Sequence, residues 1–403
     1  MIKRDFYIDQ IKPLINKKIT KVLVGFRRSG KSTILELVKE YLIACGCTKS
    51  QFISINFEDF KYYDLKDTQK LYDYLMAFIK NNKNKTYLFL DEIQEVKGFE
   101  EVINSLMVTE DVDIYITGSN SNLLSSELAT YLAGRYVQIF VYPFSFNEYV
   151  LAKKQINNIK DNESLFIDYI KEGGMPFVVC EDIPNETKES YLKDIYNSVI
   201  LKDIIERNSI RDIDLLDRTI RYVFSNVGEI FSATSISKYL KSQNRSGKVD
   251  TLLNYLKYCS DAMIFHSLKR YDLKGRKVFQ TNEKYYLVDH GLREAMLHSN
   301  ERDINLILEN TVAIEGLRRG YDVKVGYIND YEIDFVMLKG DKPIYIQVTY
   351  LLASEKTIER EFRPLQLIND NYRKVVVSMD RILQPREGIE HKKIGDFLLE
   401  EEW

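Results

Sequence analysis

No stretch of this sequence approaches the roughly 20 apolar residues that cross a bilayer, so no membrane span is expected. Behind Met1-Ile2-Lys3-Arg4-Asp5 there is no apolar signal core. Cysteine and histidine are scarce, at four each in 403 residues. Cys45, Cys47, Cys180 and Cys259 make no zinc-type pairing with the histidines, which argues against a disulfide framework and against a metal site. A reducing cytoplasm is the expected compartment. Excess charge is also missing: the net value is −3, so any attraction for nucleic acid has to be local. What remains, 45% hydrophobic and 29% charged residues, is ordinary for a globular protein, and the length suits two to four domains.

One stretch organises the rest. Gly25-Phe26-Arg27-Arg28-Ser29-Gly30-Lys31-Ser32 fits G-x-x-x-x-G-K-[ST], a phosphate-cradling P-loop. Ile19 to Val24 before it reads as a buried strand, and Thr33 to Leu42 after it has helical apolar spacing. Backbone N–H groups and the helix N-terminus would face the phosphates. Gly25, Arg28, Ser29, Gly30, Lys31, Ser32 and Thr33 are the expected ATP ligands, with Lys31 on the β/γ-phosphates and the Ser32 hydroxyl on Mg²⁺.

Tyr87-Leu88-Phe89-Leu90-Asp91-Glu92 reads as a parallel strand delivering two carboxylates at its C-terminal end, where doubly wound sheets bind ligands. Asp91 is expected to hold Mg²⁺ and Glu92 to orient the attacking water. The next strand, Asp113 to Asn120, places a small polar side chain beside the γ-phosphate: Asn120 first, Ser119 second. Arg135, between a helix and the strand Val137 to Val141, is either an arginine finger for a neighbouring subunit of a homo-oligomer or a salt-bridged surface residue.

These features resemble the AAA+ ATPases. The closer resemblance is to a prokaryotic family that fuses such a domain to a module of unknown function. It rests on the P-loop with its Arg-Arg, Asn56-Phe57-Glu58-Asp59, Leu90-Asp91-Glu92-Ile93-Gln94, Gly118-Ser119-Asn120-Ser121, Leu132-Ala133-Gly134-Arg135 and Pro143-Phe144-Ser145-Phe146-Asn147-Glu148. It continues through Gly173-Gly174-Met175-Pro176 and Tyr285-Tyr286-Leu287-Val288-Asp289-His290-Gly291-Leu292. The resemblance implies an α/β fold, a P-loop AAA+ doubly wound sheet over residues 1–148, and ATP hydrolysis. It also implies a helical lid over 149–212, where Lys202 or Arg207 could contact phosphate.

Further on, three helical stretches and a hairpin (Met263 to Leu268, Lys284 to Val288, with 274–277 at the turn) resemble a winged helix over 213–298. Residues 238–277 hold ten Lys/Arg against three Asp, a net +7 that leaves −10 for the rest. Such a stripe suits double-stranded DNA, with Val249 to Leu256 offered to the major groove, or else a protein partner. Residues 299–403 resemble the PD-(D/E)xK nuclease fold, a restriction-endonuclease-like α/β domain. Asp334 and a helical Glu309 or Glu315 match its acidic pair. Gln347-Val348-Thr349 stands where Glu-x-Lys is expected, so cleavage is expected to be lost unless a lysine such as Lys356 reaches in. Three functions follow: an ATP-driven motor, a slow nucleotide switch acting through the winged helix, or an ATP-gated nuclease.

Overall fold

The structure is a computed structural model that describes residues 2–119, 134–156, 161–275, 277–278, 283–298 and 303–403. It divides into two compact units, Met1–Tyr142 with residues 261–263, and Pro143–Ser260 with Ile264–Trp403.

In the first unit, α1 (Asp5–Ile11) leads to β1 (Thr20–Val24), the loop, α2 (Lys31–Ala44) and β2 (Phe52–Asn56). Then come α3 (Thr68–Asn81), β3 (Thr86–Asp91), α4 (Phe99–Thr109), β4 (Val112–Gly118) and β5 (Tyr136–Phe140). The sequence reading lacked α1 and α4. All five strands are parallel, in the order β2-β3-β4-β1-β5. The central strands are covered on both faces, so β1, β3 and β4 are buried at every position. Tyr7, Ile8 and Ile11 of α1 pack with Ile34, Leu35 and Val38 of α2 against Leu23, Phe89 and Tyr115. Inside the sheet Lys21 pairs with Asp113. Tyr115 Oη and the Asn16 N–H also donate to that carboxylate, at 3.0 and 2.9 Å.

The second unit opens with helices Phe146–Gln155, Asn162–Glu172, Pro176–Cys180 and Asn185–Ser198, the last running into a π-turn over Val199–Glu206. Lys202 and Arg207 are exposed there. Two of the sequence motifs interlock. Asp289, almost wholly buried, accepts the Gly174 N–H at 2.7 Å and the Gly291 N–H at 2.9 Å. Gly173 has φ +78°, and a Cβ there would stand 2.3 Å from Asp289 Oδ1, so only glycine fits the crossing. Gly173-Gly174 and Asp289-His290-Gly291 are thus two sides of one clasp.

Three helices, Ile213–Ser225, Ala233–Ser242 and Val249–Asp261, accompany a small antiparallel sheet of order β6-β10-β7, with β6 at Ile230–Phe231, β7 at Phe265–Leu268 and β10 at Glu283–Leu287. Ser232 caps its helix through a reciprocal bond with Ser235. Between β7 and β10 the chain does not form a free hairpin tip. Instead β8 (Arg270–Asp272) and β9 (Lys277–Val278) pair with each other, and β8 adds in parallel to β11 (Asp322–Ile328). That joins a seven-stranded sheet of order β15-β14-β13-β12-β11-β8-β9, with β12 at Tyr331–Lys339, β13 at Lys342–Val348, β14 at Lys374–Ser378 and β15 at Glu390–Lys393. The physical reason is edge satisfaction: without β8 the edge of β11 would present unpaired N–H and C=O groups. A two-residue Gly340-Asp341 turn joins β12 to β13, with Gly340 at φ +63°. Helix Glu355–Gln366 packs Ile358, Phe362 and Leu365 on Val336, Tyr345 and Val376. Among the described residues no helix is long and apolar enough to cross a membrane.

Candidate nucleotide site

The first unit gathers its unusual chemistry at the C-terminal ends of β1, β3 and β4. After Val24 the chain turns sharply. A Cβ on Gly25 would lie 2.2 Å from the Val141 carbonyl oxygen, so any side chain there would force the loop off the strand behind it. Arg28 (φ +63°) and Gly30 (φ +98°) take the left-handed conformation that wraps the loop into α2. Gly30 is the N-cap of α2 and has no side chain with which to bond the helix's first N–H groups. Ser29 Oγ is buried and has no partner. An uncapped helix start beside an unpartnered hydroxyl is a donor set that fits an anion.

Lys31 lies folded back over this hollow. Its Nζ donates to the carbonyls of Gly25 and Phe26 at 3.1 and 3.3 Å and stands 3.6 Å from Glu92 Oε1. Asp91 ends β3 and accepts from Thr117 Oγ1 at 2.5 Å and from the Ser32 hydroxyl. Burial raises the Asp91 pKa, while those two hydroxyls pull it back down. Ser32 and Asp91 together offer the hard oxygen ligands that Mg²⁺ takes. Glu92, at φ +53°, donates its N–H to Thr117 Oγ1 at 2.9 Å and accepts at Oε2 from Gln94 Nε2 at 2.5 Å. Thr117 therefore ties the Asp91 carboxylate and the Glu92 main chain to β4. Just past β2, the Phe57 N–H donates to the Asp91 carbonyl, and Glu58 pairs with Arg27 of the loop at 3.3 Å.

Of the nominated residues, the structure brings together Ser29, Gly30, Lys31, Ser32, Asp91 and Glu92. Asn120 lies outside the described residues, and Ser119 is buried just past β4. Arg135 is not brought to this site. It is exposed, donates to Asn104 Oδ1 at 3.3 Å, and its carbonyl accepts the Thr20 N–H at the start of β1. That is the far end of the strand, about 13 Å from the loop. Sequence reasoning missed Thr117, Gln94 and Arg4. Thr117 stands next to the quoted Gly118-Ser119-Asn120-Ser121 and Gln94 lies inside the quoted Leu90-Asp91-Glu92-Ile93-Gln94, so both could have been weighed there. Arg4 carries no local signal.

The second unit holds the other acidic group. Lys284 of β10 is buried, with Nζ 2.6 Å from Glu332 Oε1 and 3.8 Å from Glu309 Oε2. Burial opposes its charge, yet Tyr286, Glu309, Asp334 and Glu332 carry its pKa well above the usual lysine value. Burial pushes Asp334 up to about 7, against the pull of Lys284 and of the Val348 N–H, which donates to Oδ2 at 2.8 Å. Gln347 accepts the Asp334 N–H at 2.7 Å and donates to Glu361 at 3.0 Å. Glu315 does not join this group. It is held by Arg318 and Arg319, at 2.5 and 2.7 Å, about 9 Å along the helix from Glu309. Lys356 is exposed. Among the described residues, no cluster of three or more His, Cys, Asp and Glu could hold a metal ion.

The five-stranded parallel sheet, the loop after its central strand and the paired carboxylates after β3 define the first unit as an α/β P-loop ATPase fold. The family model for an AAA domain matches residues 17–150, and that for a domain of unknown function (DUF8612) matches 163–303. The solved structure of a Walker-type ATPase of Pyrococcus abyssi is similar at a TM-score of 0.52 and 15% identity, over 73% of this chain and 96% of that one, a likeness of fold alone. An uncharacterized protein of Haemophilus influenzae is 38% identical over 401 residues, covering 99% of each chain. An uncharacterized protein of Methanocaldococcus jannaschii is 32% identical over 411 residues, covering 98% of this chain and 88% of its own. The chain belongs to the family of these relatives, and in it an AAA domain precedes a domain of unknown function.

Proposed function

We propose that this protein is a Mg²⁺-dependent ATP hydrolase whose nucleotide state governs a macromolecular partner. One observation carries the enzymatic part: Ser32 bonded to Asp91, with Glu92 next along and facing Lys31, at the mouth of an uncapped helix. Backbone N–H groups of the loop, with Arg28, Ser29 and Thr33, bind the phosphate chain. Lys31 exchanges its two carbonyl partners for β- and γ-phosphate oxygens. Ser32 and Asp91 would hold Mg²⁺, which would supply positive charge to the phosphates when bound. Glu92 orients the attacking water and takes its proton. The water oxygen bonds to the γ-phosphorus, the bond to the β–γ bridging oxygen breaks, and ADP leaves with the electron pair. Asn120, or Ser119 in its place, completes the water's position. Arg135, remote from its own site, acts only on the nucleotide of a neighbouring copy.

Glu92→Gln tests this directly. It is expected to keep ATP affinity and to lower turnover by roughly 10² or more, the usual worth of a positioned base. Lys31→Ala is expected to lose binding itself. ATP turnover by Glu92→Gln at the wild-type rate would sink the assignment.

For the partner we favour duplex DNA, in a cytoplasmic protein. The helices and small sheet of 213–298 follow the order of a winged helix, and Lys238, Lys241, Lys248, Lys257, Lys274 and Lys277 are exposed. Residues 149–212 act as the lid and 299–403 as a nuclease-like fold without cleavage. The support for lost cleavage is that Lys284 stands 3.8 Å from Glu309 inside the group, while Gln347 and Thr349 stand where the usual ligand and lysine are expected. Nicking of plasmid DNA with Mg²⁺ or Mn²⁺, abolished by Asp334→Ala, would instead favour an ATP-gated nuclease.

A further inference from the structure

We infer that Arg4, three residues from the N-terminus, is a positioning residue of the phosphate site and sets the orientation of one peptide group of the loop. The inference rests on the nucleotide-binding reading above. Arg4 is 1% exposed. Its Nη1 donates to the Ser29 carbonyl at 2.8 Å, and its Nη2 donates to the Tyr142 carbonyl at 2.8 Å. The guanidinium lies 4.6 Å from the centre of the Tyr7 ring. Tyr7 Oη in turn accepts the Tyr142 N–H at 3.0 Å. One buried side chain thus joins α1, the loop and the segment that leaves β5.

The peptide bond gives this contact its consequence. The carbonyl of Ser29 and the N–H of Gly30 belong to one planar trans unit and point in opposite directions. A guanidinium that fixes the Ser29 oxygen toward the buried back of the loop turns the Gly30 N–H toward its open side. Gly30 has φ +98°, and glycine there leaves the peptide free to rotate unless something outside the loop holds it. The fork of an arginine suits the task, since two of its N–H groups reach two separate carbonyls at once. Its positive charge also lies behind the loop, where it adds to the field that an anion meets. Lysine could supply the charge but only one compact donor point.

The experiment compares wild type, Arg4→Met, Arg4→Lys and Lys31→Ala in the full-length chain. Binding of a fluorescent ADP analogue, kcat and KM for ATP, and melting temperature with and without ADP are measured. Arg4→Met is expected to weaken ADP binding and raise KM by about tenfold, to change kcat less than threefold, and to shrink the stabilisation that ADP confers. Arg4→Lys, which keeps the charge and folds more readily, is expected to recover part of the affinity and not all of it. Faster hydrogen exchange at the Gly30 amide in either variant is the direct sign of a released peptide. Arg4 variants that melt lower by the same amount with and without ADP, and bind ADP as wild type does, would reduce Arg4 to a structural residue and overturn the inference. Full recovery by Arg4→Lys would overturn the orientation argument in favour of charge alone. Wild type that fails to bind ADP overturns the nucleotide reading itself, a result distinct from binding that is lost in Lys31→Ala and unchanged in Arg4→Met.

Discussion

In the first unit Lys31 stands 3.6 Å from Glu92 and rests on two main-chain carbonyls; in the second, Lys284 stands 2.6 Å from Glu332 with Glu309 and Asp334 around it. The side-chain types are the same and the outcomes differ. Besides Glu92, Lys31 has two neutral carbonyl partners that a phosphate can replace, and the hydroxyls of Thr117 and Ser32 hold the adjacent Asp91. Lys284 answers buried carboxylates, 2.6 Å from Glu332 and 3.8 Å from Glu309, so an incoming cation has to compete with one already in place. A lysine beside carboxylates is a binding site only when its resting partners are cheaper to leave than the ligand is to gain.

The largest expected contrast is between the two lysine deletions. Lys284→Met leaves buried carboxylates without their cation and is expected to lower unfolding free energy by about 3–5 kcal/mol. Lys31→Met gives up two carbonyl hydrogen bonds and the 3.6 Å pair with Glu92, whose other oxygen Gln94 holds, and is expected to cost less, about 1–2 kcal/mol, while abolishing nucleotide binding. Urea denaturation of both variants, with nucleotide titrations alongside, checks this. Equal losses of stability would erase the distinction.

A smaller effect sharpens the same comparison through pH. Asp334 has a folded-state pKa of about 7 against 3.8 for the free side chain, so the folded protein binds this proton more tightly than the unfolded chain does. Its stabilising contribution is present below the unfolded value and is lost as pH rises toward 7. The slope is at most about 1.4 kcal/mol per pH unit for one proton. Asp334→Asn is expected to flatten the stability profile between pH 4 and 7. An unchanged slope in that variant would show that another group carries it.

The smallest effect concerns the outer surface. Reversing Lys274 and Lys277 to glutamate is expected to weaken duplex DNA binding alike for all sequences. It should reduce the slope of log K against log salt by about 2, near 0.9 for each lost phosphate contact. Sequence-selective weakening would assign those residues to base reading instead.

Much of the first unit was legible because its signals are local. The P-loop, the strand before it and the carboxylate pair occupy contiguous residues whose periodicity and spacing name their structure. Arg4 and Lys284 were not legible, because each acts on residues 25 or more positions away and only the topology brings them there. Glu315 was open to a better reading. Its arginines at 318 and 319 sit three and four residues on, the spacing of intrahelical ion pairs, which argued for a structural role before any fold was known. The hairpin through 274–277 had a different difficulty, since nothing in its own residues says that β11, some fifty positions later, needs an edge partner.

That hairpin has a consequence for how this part of the chain can be divided. β7 and β10 belong to the small sheet, while β8 and β9, between them in sequence, belong to the large one, and Lys269 alone separates β7 from β8. The two sheets are stitched rather than strung together. A chain ended at residue 298 would carry β8 without β11, an open strand edge that invites pairing between copies. The helices of 213–261 and the sheet of 322–393 are therefore expected to melt as one cooperative block. A pull applied at the exposed lysines of the hairpin would be felt first in β11, not in the helices next to it in sequence.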